Sequence, residues 1–202
     1  MINTIIFDIG KVLVDYNWQD YLKSFGYDDG KNRKLAEAVF LSEYWIETDR
    51  GVWTDEKILK KFVEKAPEYE DEIYKLWEGM EKCITVFDYT KQWISELKEK
   101  GYQVYYLSNY GKTLREKTKD ALKFTKDCDG GIFSYEIKKI KPDKDIYQAF
   151  LKEYGLVPEQ CVFIDDRPEN IQGAEAEGIH GILFENYQDA RKKICELTEE
   201  CQ

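Results

Sequence analysis

The stretch Ile5-Ile6-Phe7-Asp8-Ile9-Gly10 decides the fold of this chain. Three consecutive apolar residues that end at an acidic residue, with a glycine two positions later, are typical of a strand buried on both faces of a parallel sheet. An aspartate directly after such a strand stands at its carboxyl end, the edge at which open α/β sheets bind their ligands. The stretch therefore predicts a central strand with a polar group at the functional edge of the sheet.

The same pattern of an apolar run followed by polar residues recurs three times. Helical periodicity fills the intervals, and the predicted helices close at Gly101, Gly155 and Gly178. Strands that alternate with helices predict βαβ units, and we expect an α/β fold with a doubly wound, Rossmann-like parallel sheet. The three further runs are residues 104–107 before Ser108-Asn109, 162–164 before Asp165-Asp166, and 181–184 before Glu185-Asn186.

Residues 16–85 interrupt the alternation with helical periodicity and no strand pattern. We interpret this segment as a helical-bundle cap inserted into a core formed by residues 1–15 and 86–202. The cap contains four of the five tryptophans, which we expect to fill the interior of the small bundle rather than to form a sugar-stacking platform. They are Trp18, Trp45, Trp53 and Trp77.

The charge balance excludes several classes of partner. The 202 residues include 30 Lys plus Arg and 40 Asp plus Glu, a formal net charge of −10, so nucleic acids and anionic membranes would be repelled. The single histidine, His180, is expected to be a loop residue, which favours chemistry based on aspartate and on metals that prefer oxygen ligands.

The cysteines and the ends of the chain suggest a compartment. Five cysteines, at positions 83, 128, 161, 195 and 201, form no C-x-x-C pair, which favours a reducing environment. Without a basic leader or a run of 18 apolar residues, a cytoplasmic, unprocessed protein is expected. The acidic end, residues 196–202, is expected to be frayed.

Polar groups at the predicted strand ends form a candidate site. Taken singly, each could be a turn former, a loop start, a solvated side chain or a helix cap. Together they provide what phosphoryl transfer through an aspartyl-phosphate needs: a carboxylate nucleophile, groups that hold phosphate oxygens, a fixed ammonium and carboxylates for a cation. The cation predicted is Mg²⁺, held by Asp8 and by one of Asp165 or Asp166. The set is Asp8, Ser108, Asn109, Lys141, Asp165 and Asp166.

Four segments of the chain resemble the motifs of the haloacid dehalogenase-like hydrolases. The paired aspartates of the last segment and the helical insert after the first are similar to the branch with bacterial alpha-D-glucose-1-phosphate phosphatases and the phosphatase domain of soluble epoxide hydrolases. The segments are FDIGKVL (7–13), LSN (107–109), KPDKDIY (141–147) and FIDDRPENIQGA (163–174).

The resemblance implies a role for each site residue. Asp8 would be the nucleophile, and Lys141 and Ser108 would complete the catalytic set. The phosphate would be bound by Ile9, Gly10, Ser108, Asn109 and Lys141. The metal would be held by Asp8, the Gly10 carbonyl and Asp166, with Asp165 close by.

Gly10 departs from the family pattern, in which the position two residues after the nucleophile carries an aspartate that acts as general acid and base. Such a group contributes about 10²- to 10⁴-fold in rate. We expect a slower enzyme, or one that recruits water, Asp165 or a hydroxyl of the substrate. Lys11 could offset leaving-group charge, although a solvated lysine is the simpler interpretation. Residues 47–51 form a cap loop that in relatives faces the site, and Arg50 is either a substrate contact or a surface arginine beside Asp49.

The predicted function is a Mg²⁺-dependent phosphatase acting on a small phosphorylated metabolite, a sugar phosphate such as alpha-glucose 1-phosphate. The alternative is a phosphosugar-binding protein with little turnover because of Gly10. A receiver domain uses similar groups, but it places its acidic pair on the first strand, whereas the pair here comes last. A metal-free dehalogenase would have little use for Asp165 and Asp166 as cation ligands.

Overall fold

The computed structural model describes residues 1–198. Five strands form a parallel sheet in the order β5-β4-β1-β6-β7, and β2 and β3 form a separate antiparallel ribbon. The strands are β1 (Thr4–Phe7), β2 (Val14–Tyr16), β3 (Ile84–Val86), β4 (Gln103–Ser108), β5 (Gly130–Phe133), β6 (Cys161–Asp165) and β7 (His180–Leu183).

Helices cover both faces of the sheet, and a group of helices lies between β2 and β3 in the chain. The predicted α/β fold with a Rossmann-like parallel sheet is confirmed. The helices are α1 (Trp18–Lys23), α2 (Asp29–Ala38), α3 (Trp45–Arg50), α4 (Asp55–Lys65), α5 (Glu70–Glu78), α6 (Thr90–Glu99), α7 (Lys112–Lys117), α8 (Ser134–Ile137), α9 (Lys144–Tyr154), α10 (Pro168–Ala176) and α11 (Tyr187–Thr198).

Strand β1 is the centre of the sheet. It pairs with β4 on one side and β6 on the other, and Ile5 is aligned with Val104 and with Val162. Its side chains alternate between two apolar clusters: Ile5 and Phe7 belong to one and Ile6 to the other. Because both faces are buried, an apolar run without alternation is what this strand requires.

The first apolar cluster extends without a break from the sheet into the inserted helices. Phe7 of β1, Leu35 of α2, Phe62 of α4 and Ile73 of α5 all belong to it. Trp77 is buried in this cluster, and the other three tryptophans of the segment pack against it while partly exposed. The insert therefore shares one interior with the sheet, and the division into core and cap residues stays a prediction.

Three short strands were not predicted. Val14 of β2 pairs with Val86 of β3, and Tyr16 pairs with Ile84, so the segment 16–85 begins and ends in a ribbon rather than in helix. Strand β5 begins with Gly130 and Gly131, so its sequence lacks the apolar run by which the other strands of the sheet were predicted.

The last helix reaches further than the sequence suggests. Helix α11 continues to Thr198, so residues 196–198 are helical rather than frayed, and the rest of the predicted frayed end lies outside the described residues. Within residues 1–198, no helix combines the length and apolar character needed to cross a bilayer.

Candidate active site

Three neighbouring strands bring the predicted site residues together. Asp8 follows β1, Ser108 ends β4 and Asp165 ends β6, and these strands are adjacent in the order β4-β1-β6. The N–H of Asp8 donates to the carbonyl oxygen of Ile164 at 2.8 Å, which continues the strand pairing up to Asp8. The carboxyl edge of the sheet therefore carries the site, as expected for an open α/β sheet.

Lys141 lies between two buried carboxylates. Its Nζ is 2.9 Å from Asp8 Oδ1 and 2.6 Å from Asp165 Oδ2, and only 2% of the residue is exposed. Burial alone would lower the pKa of Lys141, but the charges of Asp165 and Asp8 outweigh this effect and hold the pKa above its ordinary value. The side chain is therefore a fixed ammonium at the floor of the site.

Asn109 fixes the main chain at Lys141. Its Oδ1 accepts a hydrogen bond from the N–H of Lys141 at 2.8 Å, and its Nδ2 donates to the carbonyl oxygen of Lys141 at 3.0 Å. With both ends of its amide engaged, Asn109 acts here as a clamp between the end of β4 and the Lys141 loop.

Asp165 is fully buried and supplied with donors. Its Oδ1 accepts from the N–H of Arg167 at 2.9 Å, and Asn170 Nδ2 donates to both of its oxygens at 3.0 Å. Lys141 Nζ donates to Oδ2. Four hydrogen bonds use the capacity of this carboxylate, so Asp165 orients Lys141 and the start of α10.

Asp8 and Asp166 are less completely engaged. Burial raises the pKa of Asp8 to about 6, and the negative charge of Asp165 adds to this increase. The positive charge of Lys141 and a hydrogen bond with Ser108 act in the opposite direction and lower the pKa. Burial, followed by the charge of Asp165, also raises the pKa of the partly buried Asp166. The charged partner of the buried Oδ1 of Asp8 is Lys141, whose Nζ lies 2.9 Å away.

These carboxylates fit a magnesium ion. One oxygen each from Asp8, Asp165 and Asp166 lie within 4.8 Å of one another. Oxygen ligands on opposite sides of an octahedral Mg²⁺ are about 4 Å apart, and the ion prefers carboxylate oxygen. A cation there would be a second positive partner for Asp8, beside the ammonium of Lys141.

The loop after Asp8 turns back on itself. Ile9 is fully buried, and its carbonyl oxygen accepts from the N–H of Val14 at 2.9 Å. A Cβ at Gly10 would have no heavy atom within 4 Å, so steric crowding does not require this glycine. Lys11 is exposed at the edge of the cavity, and its Nζ pairs with Asp15 Oδ1 at 2.6 Å.

A cavity of about 290 Å³ opens above the carboxylates. Its floor includes Asp8, Gly10, Lys141 and Asp166, and its opposite wall comes largely from the inserted segment. The buried Oη of Tyr16 has no hydrogen-bond partner within residues 1–198, and burial raises the pKa of this phenol well above its ordinary value. The wall is formed by Tyr16, Phe40, Trp45, Ile46, Asp49 and Ile84.

A larger cavity, about 450 Å³, adjoins the first one behind Trp45 and Leu114. It is lined by Trp53, Trp77 and Lys112 among others, and the carboxylates at the strand ends do not line it. We place the chemistry in the smaller cavity because that is where the charged groups converge.

Asp49 is the wall residue that sequence reasoning missed. In the segment 47–51, the sequence suggests Arg50 as a possible substrate contact. In the structure Arg50 forms ion pairs with Glu47 at 3.5 Å and Asp143 at 3.7 Å. The neighbouring Asp49 lines the cavity instead. The only available signal was a carboxylate in a loop expected to face the site.

His180 begins strand β7 and is not the loop residue that the sequence predicts. It is exposed, and its Nε2 lies 3.2 Å from the carbonyl oxygen of Glu159.

The fold and this cluster define a class of protein: an α/β enzyme whose carboxylates and buried ammonium lie at the carboxyl edge of a parallel sheet. A sequence model described as haloacid dehalogenase-like hydrolase matches residues 2–178. The chain belongs to the haloacid dehalogenase-like hydrolases, and the resemblance found in its motifs is confirmed.

Individual proteins similar to this chain are named as phosphatases or phosphate-ester hydrolases. Flavin mononucleotide hydrolase 1 of Arabidopsis thaliana is 25% identical over 198 residues, which cover 96% of this chain and 76% of that protein. D-ribitol-5-phosphate phosphatase of Bacteroides thetaiotaomicron is 25% identical over 207 residues, which cover 96% of this chain and 97% of that protein. The structure also resembles a haloacid dehalogenase family enzyme from the same bacterium, crystallised with magnesium and inorganic phosphate. The two superpose with a TM-score of 0.73 at 21% identity, and the match covers 94% of this chain and 99% of that one.

Proposed function

We propose that this chain, a phosphatase of the haloacid dehalogenase-like family, hydrolyses a small phosphorylated metabolite through an aspartyl-phosphate on Asp8. One observation carries the proposal. The Asp8 carboxylate lies at the floor of the 290 Å³ cavity with the ammonium of Lys141 2.9 Å away. A nucleophilic carboxylate beside a fixed cation is the arrangement that phosphoryl transfer to a side chain requires.

In the first half of the reaction, an Asp8 oxygen forms a bond to phosphorus while the bond from phosphorus to the leaving oxygen breaks. Lys141 and Ser108 bind the phosphate oxygens on which charge accumulates, and the main chain of Ile9 and Gly10 completes the phosphate site. Asn109 acts mainly by holding Lys141 in position. In the second half, water attacks the phosphorus and releases the Asp8 carboxylate.

Asp8, Asp166 and the Gly10 carbonyl would hold Mg²⁺, with Asp165 close by. Bound there, the ion would offset the negative charges of the phosphate and of Asp8. The spacing of the three carboxylates supports this assignment. The similar solved enzyme crystallised with magnesium and phosphate gives it further support.

The proposed substrate is a sugar phosphate such as alpha-glucose 1-phosphate. A cavity of about 290 Å³ suits a small ester. The unpaired hydroxyl of Tyr16, which lines the cavity, can bind a substrate hydroxyl. The relatives named for ribitol 5-phosphate and flavin mononucleotide support a phosphorylated small molecule more broadly.

Phosphate release from a panel of sugar phosphates, nucleotides, phosphoamino acids and p-nitrophenyl phosphate tests the proposal. We expect release that requires Mg²⁺, is abolished by a chelator and is lost in Asp8→Asn. Asp145→Asn, an exposed aspartate in the same half of the chain as Lys141, is the matched control and should retain activity. If the wild type is no more active than Asp8→Asn on any ester, the proposed enzyme is wrong.

The second candidate is a phosphosugar-binding protein with little turnover, which the glycine at position 10 favours. Calorimetric binding of a sugar phosphate without phosphate release would support it against the enzyme.

We also propose a cytoplasmic location, because the cysteines form no C-x-x-C pair and Cys83, Cys128 and Cys161 are free thiols, whereas Cys195 is disulfide-bonded. Fractionation of cells that express a tagged full-length chain would test it.

A further inference from the structure

Turnover needs a proton for the leaving oxygen and a base for the attacking water, and Gly10 supplies neither. The other carboxyl groups and the phenol around the cavity are poorly suited to this work. Asp165 is saturated with hydrogen bonds, and Asp8 and Asp166 have other roles. The pKa of Tyr16 is raised well above its ordinary value, so its phenol cannot accept a proton from water near neutral pH.

Asp49 faces the same cavity from the opposite side. It belongs to α3 of the inserted segment and lines the cavity with Asp8, Gly10 and Lys141. The floor carries the nucleophile and the phosphate site, so a leaving group directed away from Asp8 would extend toward this wall. A carboxyl group on the wall is therefore on the leaving-group side of the phosphorus.

Helix α3 is held by the core of the protein as well as by the other inserted helices. Ser134 Oγ donates to the carbonyl oxygen of Asp49 at 2.6 Å, and Lys138 Nζ donates to that of Gly51 at 2.6 Å. Thr48 packs so closely on Gly111 that a Cβ there would lie 3.2 Å from the Thr48 carbonyl oxygen. These contacts attach the segment around Asp49 to residues that follow β4 and β5.

The surroundings of Asp49 suit proton transfer. Burial raises the pKa of its carboxyl group to about 7, a hydrogen bond from Thr48 opposes this, and the negative charge of Asp8 adds to it. A group that exchanges its proton near neutral pH can serve as an acid in one step and as a base in the next.

We propose that Asp49 is the general acid and base of the reaction, in the role that Gly10 cannot fill. This inference rests on the proposed phosphatase function. As the bond from phosphorus to the leaving oxygen breaks, its electron pair stays on that oxygen, which takes the proton of Asp49. The resulting Asp49 carboxylate then takes a proton from water as the water oxygen attacks the phosphorus and Asp8 is released.

Leaving-group dependence tests the role. The substitution is Asp49→Asn, and the substrates are the best alkyl phosphate of the panel and p-nitrophenyl phosphate, whose leaving group departs without protonation. With the alkyl ester we expect kcat/KM to fall by about 10²- to 10⁴-fold. With the aryl ester we expect one equivalent of p-nitrophenol in a burst, followed by slow turnover, because water attack on the aspartyl-phosphate has lost its base.

Two variants complete the experiment. Glu47→Gln changes a carboxylate on the same helix that is paired with Arg50, and it should behave as wild type. Gly10→Asp, introduced into Asp49→Asn, should raise kcat/KM for the alkyl ester at least about tenfold above that of Asp49→Asn alone. Position 10 has room for a side chain and lies beside the nucleophile.

The outcomes distinguish failure of the phosphatase from failure of the role of Asp49. A wild type no more active than Asp8→Asn would overturn the phosphatase, and the role of Asp49 with it. If the wild type is active, either of two results would overturn the role of Asp49 alone. The Asp49→Asn variant could keep its activity, or it could lose activity equally on the alkyl and the aryl ester and show no burst.

Discussion

At the scale of a single residue, the raised pKa of Asp49 affects the stability of the fold as well as the proposed proton transfer. Its carboxyl group is held among protein groups and near the charge of Asp8, so its pKa is about 7, against an ordinary value of 3.8. The folded chain therefore binds a proton that the unfolded chain has already released between these two pH values. Stability contributed by protonated Asp49 is fully present below about pH 4 and is lost as the pH rises through about 7.

Asp49→Asn should remove this pH dependence. At pH 8 in the presence of a chelator, we expect the variant to exceed the wild type in free energy of unfolding by roughly 1–4 kcal/mol, with the difference shrinking toward zero near pH 4. Urea unfolding at several pH values measures it, with Glu47→Gln as control. A variant less stable than wild type at pH 8 would contradict the prediction.

The residues of the candidate site differ in how far the sequence could locate them. Asp8, Ser108 and Asp165 end apolar runs, so the rule for parallel sheets places them at one edge from the sequence alone. Asp49 has no such local pattern. It reaches the cavity because α3 packs on Gly111 and on Ser134, contacts between residues far apart in the chain.

Strand β5 shows the same limit at the scale of an element. Strands β1, β4, β6 and β7 are apolar runs with polar ends, whereas β5 begins with two glycines and resembles a turn. Close packing explains the glycines. A Cβ on Gly131 would overlap the ring of Tyr106 in the neighbouring strand, and one on Gly130 would lie 2.6 Å from the ring of Tyr154. The side chains that fill this edge of the sheet come from β4 and α9.

Gly131→Ala should therefore destabilise the sheet edge. The added methyl group must displace the Tyr106 ring, and we expect a loss of about 1–3 kcal/mol in the free energy of unfolding. Gly30→Ala, in the exposed first turn of α2, is the control: its Cβ would lie 3.1 Å from Asp28 Oδ1 and meet no ring, so the free energy of unfolding should change by less than about 1 kcal/mol. Equal effects of the two substitutions in urea unfolding would mean that the Tyr106 ring moves aside freely.

At the scale of the whole molecule, the insert and the sheet share one apolar interior. Phe62 and Ile73 of the inserted helices belong to the same cluster as Ile5 and Phe7 of β1. The β2–β3 ribbon joins the two ends of the insert, and Thr90 Oγ1 fixes it by donating to the carbonyl oxygen of Leu13 at 2.5 Å. Because Asp49 and Asp8 line the same cavity, movement of the cavity wall away from the sheet would have to disturb this shared interior.

We therefore expect the insert and the sheet to unfold in a single cooperative transition. The tryptophans allow a direct measurement, because Trp93 packs edge-on against Phe7 at 4.6 Å while the other four lie in the insert. In Trp93→Phe, tryptophan fluorescence reports on the insert alone, whereas far-ultraviolet circular dichroism reports on helices throughout the chain. Urea midpoints from the two probes should coincide. A fluorescence midpoint at lower urea would mean that the insert unfolds first as an independent unit, in which case Asp49 would be held over the nucleophile only by the local contacts of α3.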